Sequence, residues 1–269
     1  MSQSLEQAFN PSLIADLEVE LPRREFLARS VPRPERFRYG GGPRQTIDLY
    51  RPPEKPSGAC LVYFHGGYWC SGSADASAFV VGPFRAAGVT VAIVGYDLCP
   101  DVTLSAIVAQ ARAARDLLLA RAGDLTIDVT RILMSGSSAG AHLCAVLLQD
   151  GPSAWPVAPV AALVTGVYDL EPVLGISINA TLGLVAQDVE SLSPLRVAAP
   201  MCCRRLLIAV GGDEPAPWQA MSAAFARKAR AEGIPTEYLV CQGENHFSVT
   251  TALGVPNHML TRQSIALLA

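Results

Sequence analysis

The chain has 269 residues, half of them hydrophobic and 17% charged, with a formal net charge of −3. That composition is globular and excludes a disordered chain, and no apolar run approaches the roughly 18 residues a membrane helix needs. Lysine and arginine form no dense run, so nothing in the charge pattern points to nucleic acid or an anionic membrane as partner.

The first ten residues lack the basic start and apolar stretch of a secretory signal, which leads us to expect a cytoplasmic protein. Seven cysteines (Cys60, Cys70, Cys99, Cys144, Cys202, Cys203, Cys241) are odd in number and scattered. Several sit in apolar runs, where a thiol behaves as a small buried hydrophobe, so they are expected to be reduced. Cys202 and Cys203 are adjacent, but no histidine or second cysteine pair is spaced to complete a zinc site, and no metal is expected.

Residues 1–35 are rich in proline and charge, with one candidate helix, and form an N-terminal extension. From about residue 36, short β-rich apolar runs alternate with segments of helical period. Residues 45–51 alternate and precede Pro52 and Pro53, so they are expected to form an antiparallel edge strand. Core strands are expected at 59–64, 89–94, 131–135, 160–165, 205–210 and 236–241. Helices are expected near 75–87, 103–122, 139–149, 217–232 and 257–268. The alternation predicts one α/β domain spanning 1–269, with a doubly wound, mainly parallel sheet whose ligand sites open at the strand carboxyl ends. Residues 170–198 form a long connection between two strands, the length at which a lid-like insertion is expected.

Gly136-Ser137-Ser138-Ala139-Gly140 follows one such strand and opens a helix, the context of a G-x-S-x-G nucleophile elbow in α/β hydrolases. Small residues are needed there because strand and helix approach closely around a strained turn. Ser138 is therefore the candidate nucleophile and Ser137 a pocket neighbour. His65-Gly66-Gly67-Tyr68-Trp69 directly follows the strand 59–64, where this fold builds part of its oxyanion hole from backbone N–H groups. His65 is expected to brace that loop.

The general base follows by elimination among four histidines. His65 lies in the oxyanion loop, and His142 lies one turn into the helix behind the nucleophile. The order serine, acid, histidine leaves His246, in the loop after the last strand, and His258 at the start of a surface helix. His246 is the candidate base. Gly211-Gly212-Asp213-Glu214 offers two adjacent carboxylates after the strand 205–210 to orient the imidazole. Glu214 is favoured, because the acid of this fold often stands three residues after such a glycine. Asp213 remains an alternative, and Asp169 is a third candidate that fits better as a polar anchor for the insertion.

His65-Gly66-Gly67-Tyr68-Trp69, Tyr96-Asp97-Leu98-Cys99-Pro100, the elbow through Leu143, and Gly166-Val167-Tyr168-Asp169-Leu170-Glu171-Pro172 together resemble the arylformamidase (kynurenine formamidase) family over about residues 45–250. The resemblance implies a triad of Ser138, Glu214 and His246 and hydrolysis of N-formylkynurenine to kynurenine and formate, a step of tryptophan degradation. Backbone N–H groups of Gly67, Tyr68 and Ala139 are expected to hold the oxyanion. Tyr68 and Trp69, with Trp218, are expected to wall a small acyl pocket. No cofactor is expected; the partner is a small aryl formamide or ester, and the sequence leaves a homo-oligomer open. A short-chain carboxylesterase is the alternative, and a non-catalytic receptor on the same fold is a third reading.

Overall fold

Runs such as Leu61-Val62-Tyr63-Phe64 are apolar at every position, which suits a strand whose two faces are both covered. The computed structural model, which describes residues 4–13, 15–54 and 56–269, places them in an eight-stranded sheet. The strands are β1 (Glu35–Arg38), β2 (Thr46–Tyr50), β3 (Cys60–Phe64), β4 (Thr90–Val94), β5 (Ile132–Ser137), β6 (Val160–Val164), β7 (Arg205–Gly211) and β8 (Thr236–Cys241). Their order is β1-β2-β4-β3-β5-β6-β7-β8. From β4 to β8 every neighbouring pair is parallel, whereas β1–β2 and β2–β4 are antiparallel. Every residue of β3, β4, β5 and β6 is buried, the signature of parallel strands sandwiched between helical layers.

The segment 45–51 is antiparallel as expected but is not an edge. β1 covers it, with Glu35 opposite Leu49 and Arg38 opposite Thr46. Glu-Arg-Phe-Arg carries a single apolar residue, too little pattern to announce a strand. An ion pair supports the added strand instead: Arg36 Nη2 reaches Asp75 at 2.6 Å, and its Nε reaches the fully buried Asp48 at 2.5 Å.

The crossover helices lie where their periodicity places them. Helix Leu104–Ala120 buries Leu104, Ile107, Val108, Ala111 and Leu118, a stripe at helical spacing, and Thr103 caps it by accepting from Ala106 N. Helix Ala139–Leu148 is buried at every residue, which explains its lack of a polar face. Helix His246–Ala252 is not foreshadowed, because His-Phe-Ser-Val-Thr-Thr-Ala is poor in helix formers. Its start is fixed by a reciprocal cap, in which Asn245 accepts from the backbone of Phe247 and Ser248 while Ser248 Oγ accepts from Asn245 N.

The N-terminal extension holds two helices, Leu5–Phe9 and Leu17–Ala28, where one was expected. The connection after β6 folds into three short ones, Glu171–Leu174, Asn179–Leu182 and Ala186–Leu192. Arg196 ties this connection together, reaching Asp169 at 3.0 Å, Glu190 at 2.9 Å and Glu171 at 3.2 Å. Asp169 thus has the anchoring place foreseen for it. Among the described residues no helix is long and apolar enough to cross a membrane.

Candidate active site

The residues singled out by sequence fall at the carboxyl ends of adjacent parallel strands, where this sheet topology opens its loops. Ser138 stands between β5 and helix Ala139–Leu148 with φ 54° and ψ −118°, a conformation that non-glycine residues adopt only under strain. The surroundings hold it there: its N–H donates to Val164 O at 2.9 Å, and its carbonyl accepts from His142 N at 3.1 Å. The flanking glycine is obligatory, since a Cβ on Gly140 would stand 2.0 Å from Phe64 O. Helix and β3 are in backbone contact there, and this is why the elbow needs small residues.

The loop after β3 lies against the elbow. A Cβ on Gly66 would come within 3.3 Å of Ser138 Cβ, and Gly67 has φ 112°. Tyr68 and Trp69 also lie in the left-handed region, with φ 46° and 56°. Among the described residues, no acceptor takes the N–H of Gly67, Tyr68 or Ala139. Backbone donors that the protein does not consume are what an oxyanion would need. His65 braces the loop: its ring stacks on Tyr96 at 4.1 Å, its Nδ1 lies 2.8 Å from Gly66 O, and its carbonyl accepts from Tyr96 Oη. Burial pushes its pKa down to about 4, so it is neutral at ordinary pH.

The candidate acid and base meet directly. Glu214 Oε2 lies 2.7 Å from His246 Nδ1, and both side chains are buried. A carboxylate only accepts, so Nδ1 carries the shared proton and Nε2 is left with a free lone pair. The other carboxylate oxygen, Oε1, takes Gly211 N–H at 2.8 Å. Asp213 is exposed, and its backbone N–H donates to Glu244 O. The adjacent carboxylates are therefore distinguished by burial and partner, which their spacing alone left open.

Sequence reasoning missed Thr165, at the end of β6. Its Oγ1 lies 2.6 Å from each oxygen of Glu214 and 3.2 Å from His246 Nδ1. Its N–H donates to Ala209 O at 2.7 Å, and its carbonyl accepts Trp218 Nε1–H at 3.3 Å. A β-branched residue at φ 45° is an outlier, and here every polar group it owns is engaged. The available signal was positional: Thr165 occupies the carboxyl end of a core strand between those carrying Ser138 and Glu214.

Ser138 and His246 open on one cavity of about 540 Å3, a size suited to a small organic ligand. Tyr68 and Ser137 line it, and Ser137 Oγ lies 2.9 Å from Tyr63 Oη. Trp69 does not. It is fully buried behind the loop, edge-on to His142 at 4.8 Å, because its left-handed backbone turns the indole into the core. Trp218 is also absent from the cavity wall; it packs edge-on against His246 at 4.6 Å. The expected aromatic wall is thus reduced to Tyr68, whose hydroxyl donates to Phe9 O. The segment 170–198 contributes only Ile178 to the cavity, while the N-terminal extension contributes Asn10, Leu17, Leu21 and Arg24 among others. The cover over the site comes from the start of the chain.

The two other histidines have structural places. His142 Nε2 lies 2.8 Å from Leu192 O, and burial lowers its pKa to about 4. His258 caps helix Met259–Ala266 by accepting from Leu260 N at 3.2 Å. All seven cysteines are free, with Cys70 and Cys203 partly exposed.

A family described as the alpha/beta hydrolase fold matches residues 61–250. The kynurenine formamidase of Danio rerio is 28% identical over 234 residues, 83% of this chain and 78% of its own. That of Drosophila melanogaster is 26% identical over 257 residues, 89% of this chain and 83% of its own. A candidate thioesterase from Silicibacter sp. TM1040 superposes with a TM-score of 0.80 at 25% identity, over 99% of both chains. The matched span runs from β3 through the helix that His246 opens, and so contains every strand end of the site. The chain therefore belongs to the alpha/beta hydrolase fold family and is a serine hydrolase of that type, and its sequence relatives include the kynurenine formamidases.

Proposed function

We propose that the chain is an arylformamidase that hydrolyses N-formylkynurenine to kynurenine and formate, with Ser138 as nucleophile, His246 as base and Glu214 as the acid that orients it. The contact of Glu214 with His246 Nδ1 at 2.7 Å, on a histidine that shares its cavity with Ser138, carries this reading. His246 Nε2 takes the Ser138 hydroxyl proton as Oγ attacks the formyl carbon. The N–H groups of Gly67, Tyr68 and Ala139 receive the developing oxyanion. Collapse breaks the C–N bond, and the same proton passes from His246 to the departing aryl amine. Water then adds to the formyl-serine with His246 again as base, and formate leaves with Ser138 restored. The similarity to kynurenine formamidases over more than four-fifths of the chain supports the choice of substrate.

A short-chain carboxylesterase is the second reading. A cavity of about 540 Å3 offers room beyond a formyl group, and Trp69 does not narrow it. The panel that separates the two is kcat/KM on N-formylkynurenine and on p-nitrophenyl formate, acetate and butyrate, corrected for spontaneous hydrolysis. Formyl is expected to be preferred over acetyl, and acetyl over butyryl, by roughly ten- to two-hundred-fold per carbon. Butyrate turned over as fast as formate, with N-formylkynurenine untouched, sinks the formamidase reading.

A further inference from the structure

The cavity wall carries a cation that the mechanism does not use. Arg24, on helix Leu17–Ala28, is half-buried and lines the same cavity as Ser138 and His246. Its Nε donates to Thr251 Oγ1 at 2.9 Å and its Nη2 to Phe247 O at 3.1 Å. The guanidinium also lies over the Phe79 ring at 4.8 Å. Both acceptors are neutral, and among the described residues no carboxylate lies within 4.0 Å of it. A guanidinium has five N–H donors, of which these bonds engage two.

The other charges at the cavity are accounted for differently. Asp75 shares Arg36 with Asp48 and its side chain is exposed to water, His65 is buried and neutral, and Glu25 is exposed, where water solvates it. Burial lowers the pKa of Arg24, yet a guanidinium stays charged at any ordinary pH. Glu20, one turn back on the same helix, acts on Arg24 only through space and lies 3.6 Å from Arg23. A partly desolvated cation with spare donors and no carboxylate in contact is suited to meet an arriving anion.

We propose that Arg24 is a specificity-determining residue that binds a carboxylate on the leaving group of the substrate, so that the cavity takes aryl formamides or esters bearing an acidic side chain. The proposal rests on the hydrolase reading of the Ser138 cavity and deepens it. Its anchoring to Phe247 and Thr251, in the helix that His246 opens, would fix the bound carboxylate relative to the base. The N-terminal extension then does more than cover the site: it selects the substrate.

The test uses pairs of substrates that differ only in that charge. Steady-state kcat/KM is measured on N-formylkynurenine and its α-carboxamide, and on 3-(4-acetoxyphenyl)propanoate and its carboxamide. Wild type is expected to favour the carboxylate of a pair by about 10- to 100-fold, the worth of one or two hydrogen bonds to a charged group. Arg24→Gln should collapse that ratio towards one, and Arg24→Lys, which keeps the charge but loses the fork, should retain part of it. A purely structural Arg24 predicts a different result: kcat/KM falls equally for both members of a pair and the ratio stays at its wild-type value, which overturns the proposal. Equal turnover of both members by wild type overturns it too, even if Arg24→Gln fails to fold. If the formamides are inert and the acetates are cleaved, the formamidase reading falls while the ester pair still decides the role of Arg24.

Discussion

Thr165 and Glu214 share one hydroxyl between two oxygens, with Oγ1 2.6 Å from both Oε1 and Oε2. That hydroxyl also stands 3.2 Å from His246 Nδ1, so Thr165 buttresses Glu214 against His246. Thr165→Val keeps the shape and removes the donor. A hydrogen bond to a charged group is worth about 1.5–3 kcal/mol, so kcat is expected to fall about tenfold or more. Thr165→Ser should restore most of the loss. A Val variant with wild-type kcat shows that the contact is incidental.

The adjacent carboxylates give a second, sharper contrast. Glu214→Gln removes the group that fixes the His246 tautomer, and losses of roughly ten-thousand-fold are known for such a change in a triad. Asp213 is exposed, and Asp213→Asn should leave kcat within about twofold, the small effect usual for a surface site. Comparing kcat of the two variants is sufficient; a reversal of the order transfers the role to Asp213.

Ser138→Ala should lower turnover on the order of a million-fold and abolish labelling by a fluorophosphonate probe, because the covalent route disappears. Ser137 faces the same cavity but is engaged with Tyr63 Oη, so Ser137→Ala should still label. Labelling that survives in Ser138→Ala and is lost in Ser137→Ala moves the nucleophile by one residue.

Acid stability follows from two buried histidines, His65 and His142, outside the Glu214–His246 pair. His65 and His142 are each held down to about 4 by burial, against an ordinary value of 6.5. Between those limits the unfolded chain binds the protons and the folded chain does not, so stability rises with pH across that window and is lost as pH falls from about 6.5 towards 4. The urea midpoint should therefore drop between pH 7 and pH 5. His142→Gln removes one of the two titrations and should show a smaller drop, whatever its midpoint at pH 7. Identical pH dependence in the variant and wild type contradicts the assignment.

What the sequence determined by itself is what short stretches of chain encode. The apolar runs of β3 to β8, the G-x-S-x-G turn and the glycines after β3 are legible because strand pattern and turn chemistry depend on residues a few positions apart. His246 was legible for another reason: chain order and only four histidines leave little choice. Tertiary structure decided the rest. Glu214 and Asp213 are neighbours with the same chemistry, and only the packing of β7 against β8 buries one beside His246 and leaves the other in water. Trp69 and Trp218 read as pocket walls by size, yet their backbone conformation and neighbours turn them into the core. Helix Leu17–Ala28 lies far from Ser138 in sequence, and no periodicity announces that Arg24 will reach Phe247 and Thr251. Which side chains face a shared cavity depends on how loops from separate strands pack, a long-range property that no local pattern records.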